Sequence, residues 1–277
     1  MELSMPLPDG LSLKVTDRSG GSGSYPTRRL QKGLLLIDGR EELAEEGVGL
    51  GVPILKRGVQ TVFPGEMELA WTRTGPVWEV TAVFAMNLVE RLARPGGVGV
   101  QSRLLYAAKD SLAALHRRFP ALRGPLTAAS GALRRTFGWV TTYEQADMCA
   151  RLKVTYTVRS EQGTIGVAVD LSGLPEDVTE VVMMNELGGR HFERYSDDDG
   201  TDLSGDQIGT WDEVRAAQAS FASTAHKVAF SLAQVKGARL NRGRELVGAR
   251  LAWSGFGYSL PPTPDAFTYE VRIERTP

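Results

Sequence analysis

The chain has little cysteine, histidine or lysine, and no long apolar run. Its one thiol, Cys149, excludes an internal disulfide and points to a reducing, cytoplasmic setting. Three histidines, His116, His191 and His226, leave few imidazoles for acid–base work, and no Cys/His spacing suits zinc. No apolar stretch approaches the ~20 residues that span a bilayer. The opening MELSMPLPDG lacks the basic and apolar regions of a signal peptide. There is no N-x-S/T acceptor, no G-x-S-x-G elbow and no phosphate-binding P-loop. Zinc fingers, RNP aromatic motifs and a strongly basic domain are also missing. With a net charge of −1, neither nucleic acid nor membrane is an expected partner. No cofactor or metal is called for.

What is there is period-two alternation. The 277 residues, 42% apolar and 23% charged, suit one β domain over 1–277. Leu11, Leu13 and Val15 alternate with Ser12 and Lys14. Over 77–89, Trp78, Val80, Ala82, Phe84, Met86 and Leu88 make one apolar row, longer than most strands. Residues 150–159 and 165–171 alternate across a Glu161-Gln162-Gly163 turn and read as a hairpin. Further strands fit 179–187, 226–234, 246–254 and 267–274. A Leu34–Ile37 run ends in an Asp38-Gly39 turn. The stretch 17–26 reads as a Gly/Ser loop. In 47–52, Val48, Leu50 and Val52 alternate with glycines, so one strand face is bare and lets another layer or a flat ligand approach.

Two segments read as helical. Leu105, Ala108, Leu112, Leu115 and Phe119 share a helix face, and a second helix fits 125–137, giving a basic helical insertion over 102–137. Thr210-Trp211-Asp212-Glu213 has the pattern of a capping box, which predicts a short helix over 211–222. The expected fold is a mainly β, large two-sheet antiparallel β-sandwich of supersandwich type, with that insertion.

The candidate site lies in NELGGRHFERYSDDDGTD. If 191–195 is extended, His191, Glu193 and Tyr195 share one face and Arg190 the other. A carboxylate beside an imidazole tunes it for proton transfer near neutral pH. His191 is the candidate acid/base, Glu193 its orienter, and Arg190 a clamp on an acidic sugar. Trp71, Trp253 and Tyr195 are candidate substrate-binding rings. His226 reads as a satisfied core histidine. The acidic run Asp197 to Asp206 misses EF-hand spacing, since Tyr195 falls at the first ligand position, and is expected to be a solvated loop.

Long antiparallel strands, the chain length, and EEGVGLGVPIL followed by TVFPG resemble galactose-mutarotase-like β-supersandwich proteins. The resemblance implies two large curved sheets and carbohydrate bound on the concave face, by epimerases or by domains of lyases and glycosidases. The mutarotase pattern Asn-His-x-Tyr-Phe-Asn is not met: Gly189-Arg190-His191-Phe192-Glu193 lacks the asparagines, so no catalytic residue is carried over from the family. A saccharide ligand follows, either as the substrate of a lyase, epimerase or hydrolase, or as the ligand of a non-catalytic scaffold that binds carbohydrate or protein. A third arrangement is a homo-oligomer in which the acidic loop pairs with the basic arm.

Overall fold

Alternating apolar residues need two covered layers, and the chain supplies them by folding one very wide sheet over itself. The computed structural model describes residues 1–18, 29–58, 60–93, 140–247 and 251–277. In chain order these form β1 (Glu2–Pro6), β2 (Leu11–Thr16), β3 (Leu35–Asp38), β4 (Glu41–Glu42), β5 (Gly49–Arg57) and β6 (Gln60–Thr74). Then come β7 (Val77–Ala93), β8 (Val140–Arg159), β9 (Thr164–Asp170), β10 (Glu180–Leu187), β11 (Arg194–Asp197) and β12 (Asp202–Ser204). The last are β13 (Asp212–Glu213), β14 (Gln218–Ser223), β15 (Val228–Ala233), β16 (Arg239–Val247), β17 (Leu251–Leu260) and β18 (Ala266–Arg275).

Strands β1 to β4 pair in sequence as a four-stranded sheet. The others form a 14-stranded antiparallel sheet in the order β12-β11-β14-β15-β18-β9-β8-β7-β6-β5-β10-β17-β16-β13. Its two ends face each other. Phe256 on β17 packs against Phe221 of β14 and Phe230 of β15, with ring centroids 4.8 and 5.7 Å apart. Arg242 of β16 lies 4.4 Å over the Tyr195 ring of β11. Tyr269 of β18 donates to Asn185 of β10 at 3.1 Å. The two facing layers are therefore halves of one continuous sheet, and the four-stranded sheet packs on the same core through Leu3, Met5 and Leu13. Strongly twisted open sheets wider than about ten strands tend to curl in this way.

Bulges do the bending. The β10–β5 register shifts between Met184 and Asn185, which pair with Val52 and Leu50 and leave Gly51 as the extra residue. Leu50 consequently faces the main core, while Val52 and Ile54 face a second apolar cluster with Met184, Leu30, Val48 and Leu88. This corrects the single bare face expected for 47–52. Gly51 has φ +75°, and a Cβ there would sit 2.4 Å from Tyr156 Cε1. The Trp78–Met86 row lies in the main core as its alternation requires, whereas Leu88, past a shift in the β7–β8 register, turns to the other cluster.

Two local expectations are overturned. The segment 211–222 is not a helix but carries β13 and β14. Ala219, Phe221 and Ser223 point into the interior while Gln218, Ser220 and Ala222 lie outward. Burying one face of a strand outweighed a four-residue capping signal. The strand expected at 246–254 is the meeting of two paired strands, β16 and β17. The expected helical insertion at 102–137 lies outside the described residues, as does His116. The described residues contain no α-helix, only short 3-10 turns such as Gly205–Ile208. None of them forms a helix long and apolar enough to cross a membrane.

Candidate functional site

One side of the β10–β17–β16 layer carries the polar chemistry. Glu186 pairs with Gly255 across β10–β17, and Glu245 pairs with Trp253 across β16–β17. Residues 253, 255 and 257 alternate onto the same face, so Glu186, Trp253 and Glu245 project together. Glycines Gly243, Gly255 and Gly257 strip that face of side chains. A Cβ at Gly257 would meet Trp211 at 2.9 Å, and one at Gly243 would meet Trp253 at 2.8 Å. The indoles of Trp211 and Trp253 lie stacked there, with centroids 5.1 Å apart and planes 22° apart. Trp211 is aimed by a left-handed backbone, φ 58°, costly for a bulky residue and retained where surroundings over-determine it.

Glu186 is only 7% exposed. Burial raises its pKa to about 7; the carboxylate of Glu245 adds to this, while the Val48 N–H and the Lys32 ammonium oppose it. The Val48 contact is long, 3.4 Å. Tyr143, opposite Glu90 on β7, shares this neighbourhood, and burial together with Glu90, Glu186 and Glu245 pushes its phenol up. Lys32 donates to the Glu45 carbonyl at 2.7 Å and lies 3.8 Å from Glu42.

A second polar cluster sits where the β3–β4 turn, the β10–β11 loop and the β14–β15 turn meet. The rings of His191 and His226 are 5.0 Å apart. Nε2 of each lies 3.9 Å from a Glu41 oxygen. Nδ1 of His226 is 3.1 Å from Asp38 Oδ2. Arg275 grips both oxygens of Asp38, at 2.7 and 3.1 Å, and holds its carboxyl below the usual range, with His226 assisting. Glu45 accepts from the Arg190 guanidinium at 2.9 Å and from its backbone N–H at 3.1 Å.

The expected grouping of His191, Glu193 and Tyr195 does not form. His191 lies in a turn, its N–H bonded to the Gly188 carbonyl, so the face-sharing of an extended 191–195 is lost. Glu193 instead accepts from the Thr224 N–H at 3.0 Å. With Arg194, Asp202 and Ser204 it lines an open groove of roughly 510 Å³ on β11 and β12. Tyr195 is fully buried, with its hydroxyl on Asp197 at 2.8 Å, so it is a core ring rather than a ligand contact. Arg190 does stand beside His191, through their shared neighbour Glu45. Trp71 is 45% exposed on β6, tilted against Trp78. Trp253 lies beneath Trp211. His226 lies in a half-buried turn rather than the core, with Nδ1 on Asp38.

The acidic run forms a hairpin whose carboxylates find partners within the chain. Asp197 accepts from Thr201, Asp198 from Gln218, and Asp202 pairs with Arg194. The sequence reading passed over Glu186 and Glu41. A signal for Glu186 was present: a carboxyl in EVVMMNEL, next to Asn185 and near the end of a strand whose middle, Val181 to Met184, is apolar on both faces.

The fold is that of a folded-over β-supersandwich. It is similar to an alpha-N-acetylgalactosaminidase from Bifidobacterium bifidum, at 10% identity and TM-score 0.51, covering 99% of this chain and 36% of that one. The chain thus spans a little over a third of that protein. Similar structures also include a galactose mutarotase-like protein from Lactobacillus casei, at 8% identity and TM-score 0.41, covering 99% of each chain. Another is a galactose mutarotase-related enzyme from Lactobacillus acidophilus, at 7% identity and TM-score 0.41, covering 100% of this chain and 98% of that one. The likeness to the N-acetylgalactosaminidase is one of fold. No protein-family model and no curated protein matches the sequence.

Proposed function

We propose that the chain binds a saccharide on the β10–β17–β16 face and performs an acid–base step on it, with Glu186 as the proton-transferring group. The observation that carries this reading is a carboxyl buried beside a second carboxyl and a stacked indole pair, where burial pushes its pKa up to about 7. At that pKa a carboxyl both gives and takes protons at neutral pH. Trp211, backed by Trp253, offers an indole face to the C–H-rich side of a sugar ring. The fold it shares with a glycosidase makes saccharide the natural ligand class. Epimerases, lyases and hydrolases all need a proton moved to or from the sugar. In this reading Glu186 takes the role first given to His191, Trp253 supports the platform, and Arg190 and Glu193 lie outside the reacting group.

A screen of mono- and oligosaccharides, neutral and acidic, tests it. Glu186→Gln should lower turnover ~10²- to 10⁴-fold, as expected for loss of a general acid or base, with binding retained. Trp211→Ala should weaken binding about 3- to 10-fold. Wild-type turnover by Glu186→Gln would remove the acid–base claim. Sugar binding without any wild-type turnover would leave a binding scaffold.

A further inference from the structure

Glu41, His191 and His226 are far apart in the chain, yet their donor atoms all lie within 4.8 Å of one another. We propose that these three side chains form a binding site for a divalent transition-metal ion, with zinc the ion whose ligand chemistry fits best. Two imidazoles and one carboxylate are a donor set that zinc accepts, with a fourth position left for water.

The distances suit a bridging cation better than direct pairing. At 3.9 Å neither imidazole hydrogen-bonds to Glu41, although each Nε2 faces a different oxygen of that carboxylate. Ligand bonds of ~2.0–2.1 Å in a tetrahedron hold donor atoms ~3.4 Å apart, so modest side-chain rotation closes the set. The histidines are sheltered, with side chains 17% and 16% exposed, while Glu41 at 59% keeps the site open to solvent.

The outer contacts are those of a ligand histidine. Nδ1–H of His226 donates to Asp38, which leaves the Nε2 lone pair directed at Glu41. Asp38 is locked in turn by Arg275, a carboxylate–histidine arrangement that fixes tautomer and ring orientation around metals. On the His191 side, Glu45 lies 4.0 Å away, close enough to add charge, and is held by Arg190. The ion would tie together the β3–β4 turn, the β10–β11 loop and the β14–β15 turn.

Full-length protein stripped with a chelator and titrated with Zn²⁺ against a chromophoric competitor at pH 7.5 should bind one equivalent. Co²⁺ should give the visible bands of a four-coordinate centre. Asp38→Asn, which touches only the outer contact, should weaken Zn²⁺ about 10- to 100-fold. His191→Ala and His226→Ala should each weaken it more. Circular dichroism checks the variants, and should a histidine variant not fold, the exposed Glu41→Gln decides. Less than stoichiometric Zn²⁺, or an affinity unchanged in Glu41→Gln, would overturn the site.

Discussion

Asn185 and Glu186 stand side by side on β10, one turned inward between the layers and the other outward toward Trp253 and Glu245. Both are buried. The Asn185 side-chain oxygen Oδ1 accepts from the Gly51 N–H and the Tyr269 hydroxyl, each at 3.1 Å, and its Nδ2 donates to the Met183 backbone carbonyl at 3.3 Å. It is a polar group the core has satisfied, and it pins the bulge. Glu186 has one long backbone contact and a like charge nearby, so its neutral form is favoured up to about pH 7. Burial therefore has opposite consequences at the two positions: full satisfaction fixes the fold, whereas partial satisfaction raises a pKa.

The bulge at Gly51 is where the two environments are coupled most tightly. Gly51→Ala forces a Cβ toward Tyr156 at a left-handed φ and should cost about 3–5 kcal/mol by chemical denaturation, moving Asn185 and Glu186 together. Glu186→Gln acts on the other residue alone. The folded carboxyl holds its proton to about pH 7, while an unfolded glutamate loses it near 4.5. Wild-type stability from this group therefore falls as pH rises between those values. The advantage of Glu186→Gln should grow by up to about 3 kcal/mol from pH 4 to pH 8. Asn185→Ala strands the Gly51 N–H and should cost about 1–3 kcal/mol at every pH. Glu68→Ala removes an exposed partner of Arg151 and should change stability by less than about 1 kcal/mol.

Much of the fold was legible because long strands repeat one signal many times. Alternation identified β2, β7, β9 and β18, and a row such as Trp78 to Met86 admits few other readings. Short elements were not legible. At 211–222 a local capping pattern competed with strand contacts to β11, β15 and β16 that no local window contains. The sites were least visible, for two reasons. His191, His226 and Glu41 share no spacing, because three separate connections bring them together. The extended face drawn from His191 to Tyr195 assumed a strand that begins only at Arg194. Among the candidate rings, Trp253 fell on the polar face, but its partner Trp211 sat inside the segment read as helix.

The proposed chemistry requires Glu186 to hold its proton up to near neutrality. A titration of its side-chain carboxyl by carbon-13 NMR, assigned through Glu186→Gln, should show a midpoint near pH 7. A midpoint near the ordinary glutamate value of 4.5 would contradict it and leave β10–β17–β16 as a packing face alone.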